Sequence, residues 1–400
     1  MHQACAPIGA QPAQRPSVEL ADIVRLHGEA LRRTRALTPE QHAALRAIER
    51  CRTEALGGHL DVCQKCGHER PSYNSCRNRH CPKCQALAQA RWIAARSARL
   101  LPVPYFHVVF TLPAELRAVA KLNRRLVFDA IFAAASRTLI ELGLDPKRLG
   151  ALLGVTAVLH TWTRDLRFHP HVHCIVTGGG WSAAEQRWRS ARANYLLPVR
   201  VLGALFRGKL LAALGAAHYA GRLRLPDRDG DPEAFDRLCV ALRRKSFVVY
   251  AKRPFGGAEQ VLRYLGRYTH RVGISNHRLV ALDERGVTFR TKHGKTVTLE
   301  PLAFLDRFVE HVLPARFVKI RHCGLLAPSS VGSLLAAARS ALGPLRSDTA
   351  PPETDDDDDD WRHLLAELTG IDPTVCSACG ARAVVRQPLP TARAPPMRAA

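Results

Sequence analysis

The sequence predicts an α+β fold, an antiparallel sheet flanked by helices and preceded by a helical, cysteine-rich module. Three observations predict it. Short runs rich in β-branched and aromatic residues, such as Tyr105–Thr111 and His171–Thr177, stand between segments of helical periodicity. Cysteines bunch between Cys63 and Cys84. No apolar run approaches the roughly 18 residues of a membrane span.

The elements follow in order. Residues 1–18 are rich in Ala, Pro and Gln and predict a disordered segment. From Val18 to Leu56 apolar residues recur at helical spacing (Ile23, Leu26, Leu31, Leu45, Ile48), and Thr38-Pro39-Glu40 reads as a helix start. The cysteine block spans His59–Gln85, and Gln85–Leu101 is helical again. Tyr105–Thr111 is a strand stopped by Leu112-Pro113, and helical pattern fills Ala114–Leu142. Gly154–Thr161 and His171–Thr177 read as two strands joined by the polar turn Arg164–Arg167, with Gly178–Gly180 closing the second. Phe247–Ala251 is another strand, Glu259–Thr269 a helix, and Gly286–Thr298 a hairpin around Lys292–Lys295. Pro301–His311 and Ser333–Leu342 are helical. Asp355–Asp360 reads as a solvated linker, because adjacent like charges repel and do not share a pocket. The expected organisation is a disordered segment (1–18), a helical and zinc-binding module (19–98), a catalytic domain (99–345), an acidic linker (346–360) and a tail (361–400).

The chain of 400 residues carries 59 Lys and Arg against 35 Asp and Glu, a formal charge of +24. Such a field attracts polyanions, so nucleic acid is the first partner to expect. Residues 1–16 have neither the basic start nor the apolar block of a signal peptide, which predicts a cytoplasmic protein with no membrane partner. In a reducing compartment twelve cysteines read as metal ligands before disulfides.

Cys63-Gln64-Lys65-Cys66-Gly67 and Cys81-Pro82-Lys83-Cys84 are two C-x-x-C pairs. Each wraps a tight turn around one edge of a metal, and four thiolates complete a tetrahedron around Zn²⁺. Cys76, His80, His59 and His68 are spare donors in the same block. Arg77, Arg79 and Lys83 would lie on the knuckle surface, where phosphates could meet them; a solvated basic surface satisfies the same pattern. Cys376-Ser377-Ala378-Cys379-Gly380 is a half knuckle that suits either zinc, with partners elsewhere such as His363, or free thiols.

His171 and His173 flank Val172 in a strand, so both imidazoles leave one face while Val172 packs on the other. Such a pair suits a divalent ion, and equally suits two half-buried sheet histidines with no metal. Tyr264 and Tyr268 are spaced i, i+4 on a helix, with Arg263, Arg267 and Arg271 in a parallel row. A tyrosine hydroxyl beside positive charge can attack a phosphodiester; an aromatic stripe in a core would look the same.

Taken together, Cys63–Cys84, Phe106–Pro113, His169–Gly180 and Tyr264–Asn276 resemble transposases of the insertion-sequence-ninety-one family, in the HUH endonuclease superfamily. The resemblance spans most of residues 20–345 and implies an HUH-like antiparallel sheet with the histidines on a middle strand and the tyrosines on a nearby helix. It implies that His171 and His173 hold Mg²⁺ or Mn²⁺ and that Tyr264 and Tyr268 are paired nucleophiles on single-stranded transposon ends and target DNA. The third metal ligand is open: Gln260, one turn before Tyr264, comes first, with His107 and His160 next. A plasmid relaxase or replication initiator would use the same chemistry. A zinc-dependent DNA-binding regulator would share the composition and the zinc block without catalysis.

Overall fold

A computed structural model describes residues 16–97, 99–226, 231, 233–255, 260–261, 266, 273–343, 372 and 374–391. The chain forms two compact units. One gathers Met1–Arg91, His270–Asp306 and Pro352–Ala400, and the other holds Trp92–Thr269 and Arg307–Pro351. The block expected over 99–345 is therefore divided, with residues 270–306 grouping with the cysteine-rich module. Residues 1–15 and the acidic run Asp355–Asp360 lie outside the described residues.

In the first unit α1 (Leu20–Thr34) buries Leu20, Ile23, Val24 and Leu31 along one stripe. Helix α2 (Pro39–Glu49) starts where the sequence places it. Thr38 accepts from the Gln41 N–H, Gln41 returns a bond to the Thr38 N–H at 2.8 Å, and Pro39 opens the first turn. Strands β1 (Gly58–Cys63) and β2 (Glu69–Tyr73) pair antiparallel, and Val384–Leu389 adds a third strand on the other edge of β1. These strands carried too few apolar residues to be read as strands. The expected hairpin is a three-stranded sheet, because Leu279–Asp283 joins Gly286–Arg290 and Thr296–Leu299. Its turn uses His293 (φ 54°) and Gly294 (φ 73°).

Helix α3 (Gln85–Ser97) leads to the second unit, built on an antiparallel sheet. Its strands are β3 (Tyr105–Thr111), β4 (Leu152–Trp162), β5 (Phe168–Ser182), β6 (Arg187–Ser190), β7 (Val249–Phe255) and Ile320–Gly324. The order is Ile320–Gly324, β4, β5, β3, β7, with β6 beside the far end of β5. The sequence placed β3 to the residue. The helical stretch after it breaks at Asn123, between α4 (Arg117–Leu122) and α5 (Arg124–Leu144), where the Asn123 side chain donates to the Val119 carbonyl at 2.9 Å. Helices α5 and α6 (Val199–Tyr219) cover one face of the sheet. Phe106, Val108, Phe110, Val172, Cys174 and Val176 pack there against Phe128, Ile131, Phe132 and Phe206.

Gly178–Gly180 do not end β5 as the sequence suggested; the strand runs through them to Ser182. Their bare backbones let neighbours close in, since a Cβ on Gly180 would meet the Leu152 carbonyl oxygen at 2.5 Å and one on Gly178 the Pro104 oxygen at 2.6 Å. That extension anchors the strand carrying the histidines.

Candidate metal centre and cysteine clusters

Along β5 burial alternates: Phe168, Pro170, Val172 and Cys174 are buried, while His169, His171 and His173 are half-buried on the opposite face. Two registers fix what surrounds them. His160 of β4 lies directly across from His171, and Val158 across from His173. On the other side Val109 of β3 faces His173, which puts His107 on the same face, one diagonal step along.

The result is a cluster of imidazoles. One ring nitrogen from each of His160, His171 and His173 falls within 4.8 Å of the others. A divalent ion bonded at about 2.1 Å to each donor nearly spans that spread. His171 Nδ1 donates to the His169 carbonyl at 2.6 Å, which leaves Nε2 with its lone pair. His173 Nδ1 sits 2.8 Å from His107 Nε2, the two rings stacked at 5.1 Å. Burial, then the charges of Lys252 and His171, push His107 down to about 4, so it is neutral and can accept from His173 Nδ1–H. Burial likewise pushes His171 down to about 4. Protonation therefore does not compete with metal binding at His171 near neutral pH.

The surroundings are basic and aromatic. Arg117 donates to His169 Nδ1 at 2.8 Å. Lys252 of β7 pairs opposite His107, and exposed Tyr250 pairs opposite Val109. Trp162 stacks on His160 at 4.8 Å, with the Lys319 ammonium 5.2 Å from its ring centre. Among the described residues the three-imidazole group contains no carboxylate. That donor set suits Mn²⁺, Zn²⁺ and similar ions better than Mg²⁺, which prefers oxygen.

Of the sequence-predicted residues, His171 and His173 come together as the strand pattern required. The third donor beside them is His160, which the sequence placed with His107 behind Gln260, while Gln260, ranked first, is exposed. Hairpin pairing was the signal for His160, since a turn at residues 163–167 folds it back near His171. Gln260, Val261 and Gly266 are helical, as expected for that segment. Tyr264, Tyr268, Arg263, Arg267 and Arg271 lie outside the described residues.

The cysteines divide differently from the expected single tetrahedron. Cys76, Cys81 and Cys84 group with Cys51, while Cys63 and Cys66 group with Cys376 and Cys379. Cys51 stands just beyond α2 and belongs to no C-x-x-C pair, so its spacing gave no sign. Its Sγ lies 3.3 Å from that of Cys84, and Cys76 lies 3.6 Å from the same atom. Four sulfurs around zinc, bonded at about 2.3 Å, stand about 3.8 Å apart, so this donor set fits a tetrathiolate ion. Hydrogen bonds from Cys51, Cys76 and Cys81 already hold the Cys84 thiol well below its ordinary range. Arg77 and Arg79 are exposed on the loop between Cys76 and Cys81. Lys83 is instead engaged by the Glu19 carboxylate.

Comparison with known proteins finds two matching family models. A family model described as "Transposase zinc-binding domain" matches residues 23–112, which contain Cys51 and the cysteine block. A second, described as "Putative transposase", matches residues 154–333, which contain His160, His171 and His173. The chain is similar to "Putative transposase y4qJ" of Sinorhizobium fredii, at 45% identity over 91% of this chain and 94% of the relative. It is also similar to the "Transposase for insertion sequence element IS801" of Pseudomonas savastanoi pv. phaseolicola, at 30% identity over 84% and 80%. No solved structure matches. The fold and these matches define a transposase with an N-terminal zinc-binding domain. The chain belongs to the insertion-sequence-ninety-one (IS91) family. Among the described residues no helix is long and apolar enough to cross a membrane.

Proposed function

We propose that this transposase nicks and rejoins single-stranded DNA at element ends through a covalent tyrosine–phosphate intermediate. The observation that carries the reading is the His160, His171 and His173 cluster on β5 and its neighbour β4, on the sheet face away from α5 and α6, in a chain whose sequence spaces Tyr264 and Tyr268 one helical turn apart. A divalent ion held by the three imidazoles would supply positive charge at a phosphate oxygen. Everything else falls to the chain's own groups. Arg117 and the His169 carbonyl fix the edge of the site, and His107 orients His173.

One tyrosine oxygen bonds to the scissile phosphorus as the P–O3′ bond opens, so the phosphate stays on the 5′ end of the downstream strand. The proton lost by the phenol balances the one gained by the departing 3′-hydroxyl. Rejoining is the reverse step with another 3′-hydroxyl, so each P–O bond broken is replaced and no nucleotide is spent. The second tyrosine holds the second end. Arg263, Arg267 and Arg271 would offset the phosphoryl charge, while exposed Arg77 and Arg79 of the zinc-binding module would meet the DNA backbone. The donor set leads us to expect Mn²⁺ to support the reaction at lower concentration than Mg²⁺. With DNA as substrate, the protein would work in the bacterial cytoplasm, at the nucleoid.

The test is direct. Labelled single-stranded oligonucleotides carrying element ends, incubated with protein and Mn²⁺, should give a protein–DNA adduct that survives denaturant. Tyr264→Phe with Tyr268→Phe should abolish it while leaving DNA binding in place. Cleavage by that double variant without an adduct would show hydrolysis by water and refute the mechanism. A full set of cognate ends yielding no cleavage would refute it as well.

A further inference from the structure

The second cysteine group points past the zinc-binding domain matched at residues 23–112. Cys63-x-x-Cys66-Gly67 and Cys376-x-x-Cys379-Gly380 have the same sequence pattern and the same backbone. Gly67 and Gly380 take left-handed φ of 69° and 71°. Their N–H groups donate to the Cys63 and Cys376 carbonyls at 2.8 and 2.9 Å. Cys63 N–H returns to the His68 carbonyl at 3.0 Å, and Cys376 N–H to the Ala381 carbonyl at 2.9 Å. These are two copies of one knuckle, each aiming a pair of sulfurs inward. They face each other with Cys63 Sγ 3.7 Å from Cys379 and Cys66 Sγ 3.7 Å from Cys376. All four are unbridged, and the separations match the roughly 3.8 Å expected around a tetrathiolate zinc.

The backbone holds the two knuckles in place. Gln64 N–H donates to the Ala383 carbonyl at 2.8 Å, and Val384–Leu389 pairs with β1 from Cys63↔Val384 to Gly58↔Leu389. In the middle of that register Asp61, 3% exposed, lies between Arg386 and Arg70, its partners on the two neighbouring strands. Burial would raise its carboxyl, but hydrogen bonds from Arg386 and then Arg70 outweigh that and hold it below the usual range.

From this geometry we infer that Cys63, Cys66, Cys376 and Cys379 form a second structural zinc site, which makes residues 374–391 part of the zinc-binding module. Each chain then carries two tetrathiolate Zn²⁺ ions, one held by Cys51, Cys76, Cys81 and Cys84 and one closed by the distant pair. The inference does not rest on the strand-transfer reading, because metal content is measured without activity.

The experiment is zinc per chain by elemental mass spectrometry on full-length protein purified under reducing conditions, with the Co²⁺-exchanged protein examined by absorption. The unaltered protein should hold two zinc ions. Cys376→Ser with Cys379→Ser should hold one and lose half of the thiolate-to-cobalt absorption. Cys379→His keeps four donors, so it should retain two metals while its cobalt ligand-field bands move to higher energy. One zinc in the unaltered protein overturns the inference, as do two zincs in the double serine variant. Unshifted cobalt bands in Cys379→His overturn it even if the serine variant fails to fold.

Discussion

Replacing His107 tests whether the imidazole cluster is built to orient a ligand or merely packs. In His107→Ala the acceptor 2.8 Å from His173 Nδ1 disappears, together with the ring stacked at 5.1 Å. Leaving a buried donor unmet costs about 1–3 kcal/mol, and that cost falls on the His173 orientation that leaves Nε2 to the imidazole cluster. Removing the hydrogen-bond partner behind a metal-bound histidine weakens metal affinity about 10–100-fold, or about 1.4–2.7 kcal/mol. Two independent routes thus reach the same range. His107→Gln offers an amide oxygen and should recover most of the loss. Titrating Mn²⁺ into the folded apoprotein by calorimetry reads the affinity directly. A dissociation constant within twofold of the unaltered protein for His107→Ala, with unfolding temperature preserved, would refute the orienting role.

Three further outcomes are expected. Buried His311, which donates to the Leu166 carbonyl at 3.0 Å, is pushed down to about 3 by burial, so below about pH 6.5 the unfolded chain binds the extra proton and stability falls as pH falls toward 3. His311→Gln should flatten chemical-denaturation stability across that window by up to about 1.4 kcal/mol per pH unit, and an unchanged slope would refute the assignment. Gly324 has φ 62°, and a Cβ there would meet the Leu153 carbonyl oxygen at 1.9 Å, so Gly324→Ala should cost about 2–4 kcal/mol in thermal unfolding. Unaltered stability would show that the strand beside β4 shifts freely. Arg77→Ala with Arg79→Ala should reduce the salt slope of single-stranded DNA binding by about 1.4, at about 0.7 for each phosphate no longer neutralised. An unchanged slope would place the DNA elsewhere.

What could be read in advance was local. Tyr105–Thr111 is a strand because its branched and aromatic side chains say so and Leu112-Pro113 stops it. The shared face of His171 and His173 follows from period two alone. The Thr38 cap with Pro39 marks a helix start whatever packs on it. What escaped was set by register and long-range pairing. His160 ranks above Gln260 only once the irregular pairing between His160 and Trp162 brings it opposite His171. Three consecutive glycines look like the end of a strand until Leu152 and Pro104 are seen pressing on them. Cys51 joins its cluster from 33 residues before Cys84, and Cys376 joins Cys66 from 310 residues away. No spacing rule reaches that far.

The pairing of Cys66 with Cys376 also sets a timetable. At about 5–20 residues per second, the ribosome takes roughly 15–60 s to traverse the 310 residues between them. Through that interval Cys63 and Cys66 are half a coordination shell with no second half yet made, while Cys51, Cys76, Cys81 and Cys84 are already complete. A nascent chain therefore has to keep two thiols reduced and out of the neighbouring cluster until its last knuckle emerges. Premature termination before residue 376 would do more than shorten the product. It would release a transposase with a different metal inventory.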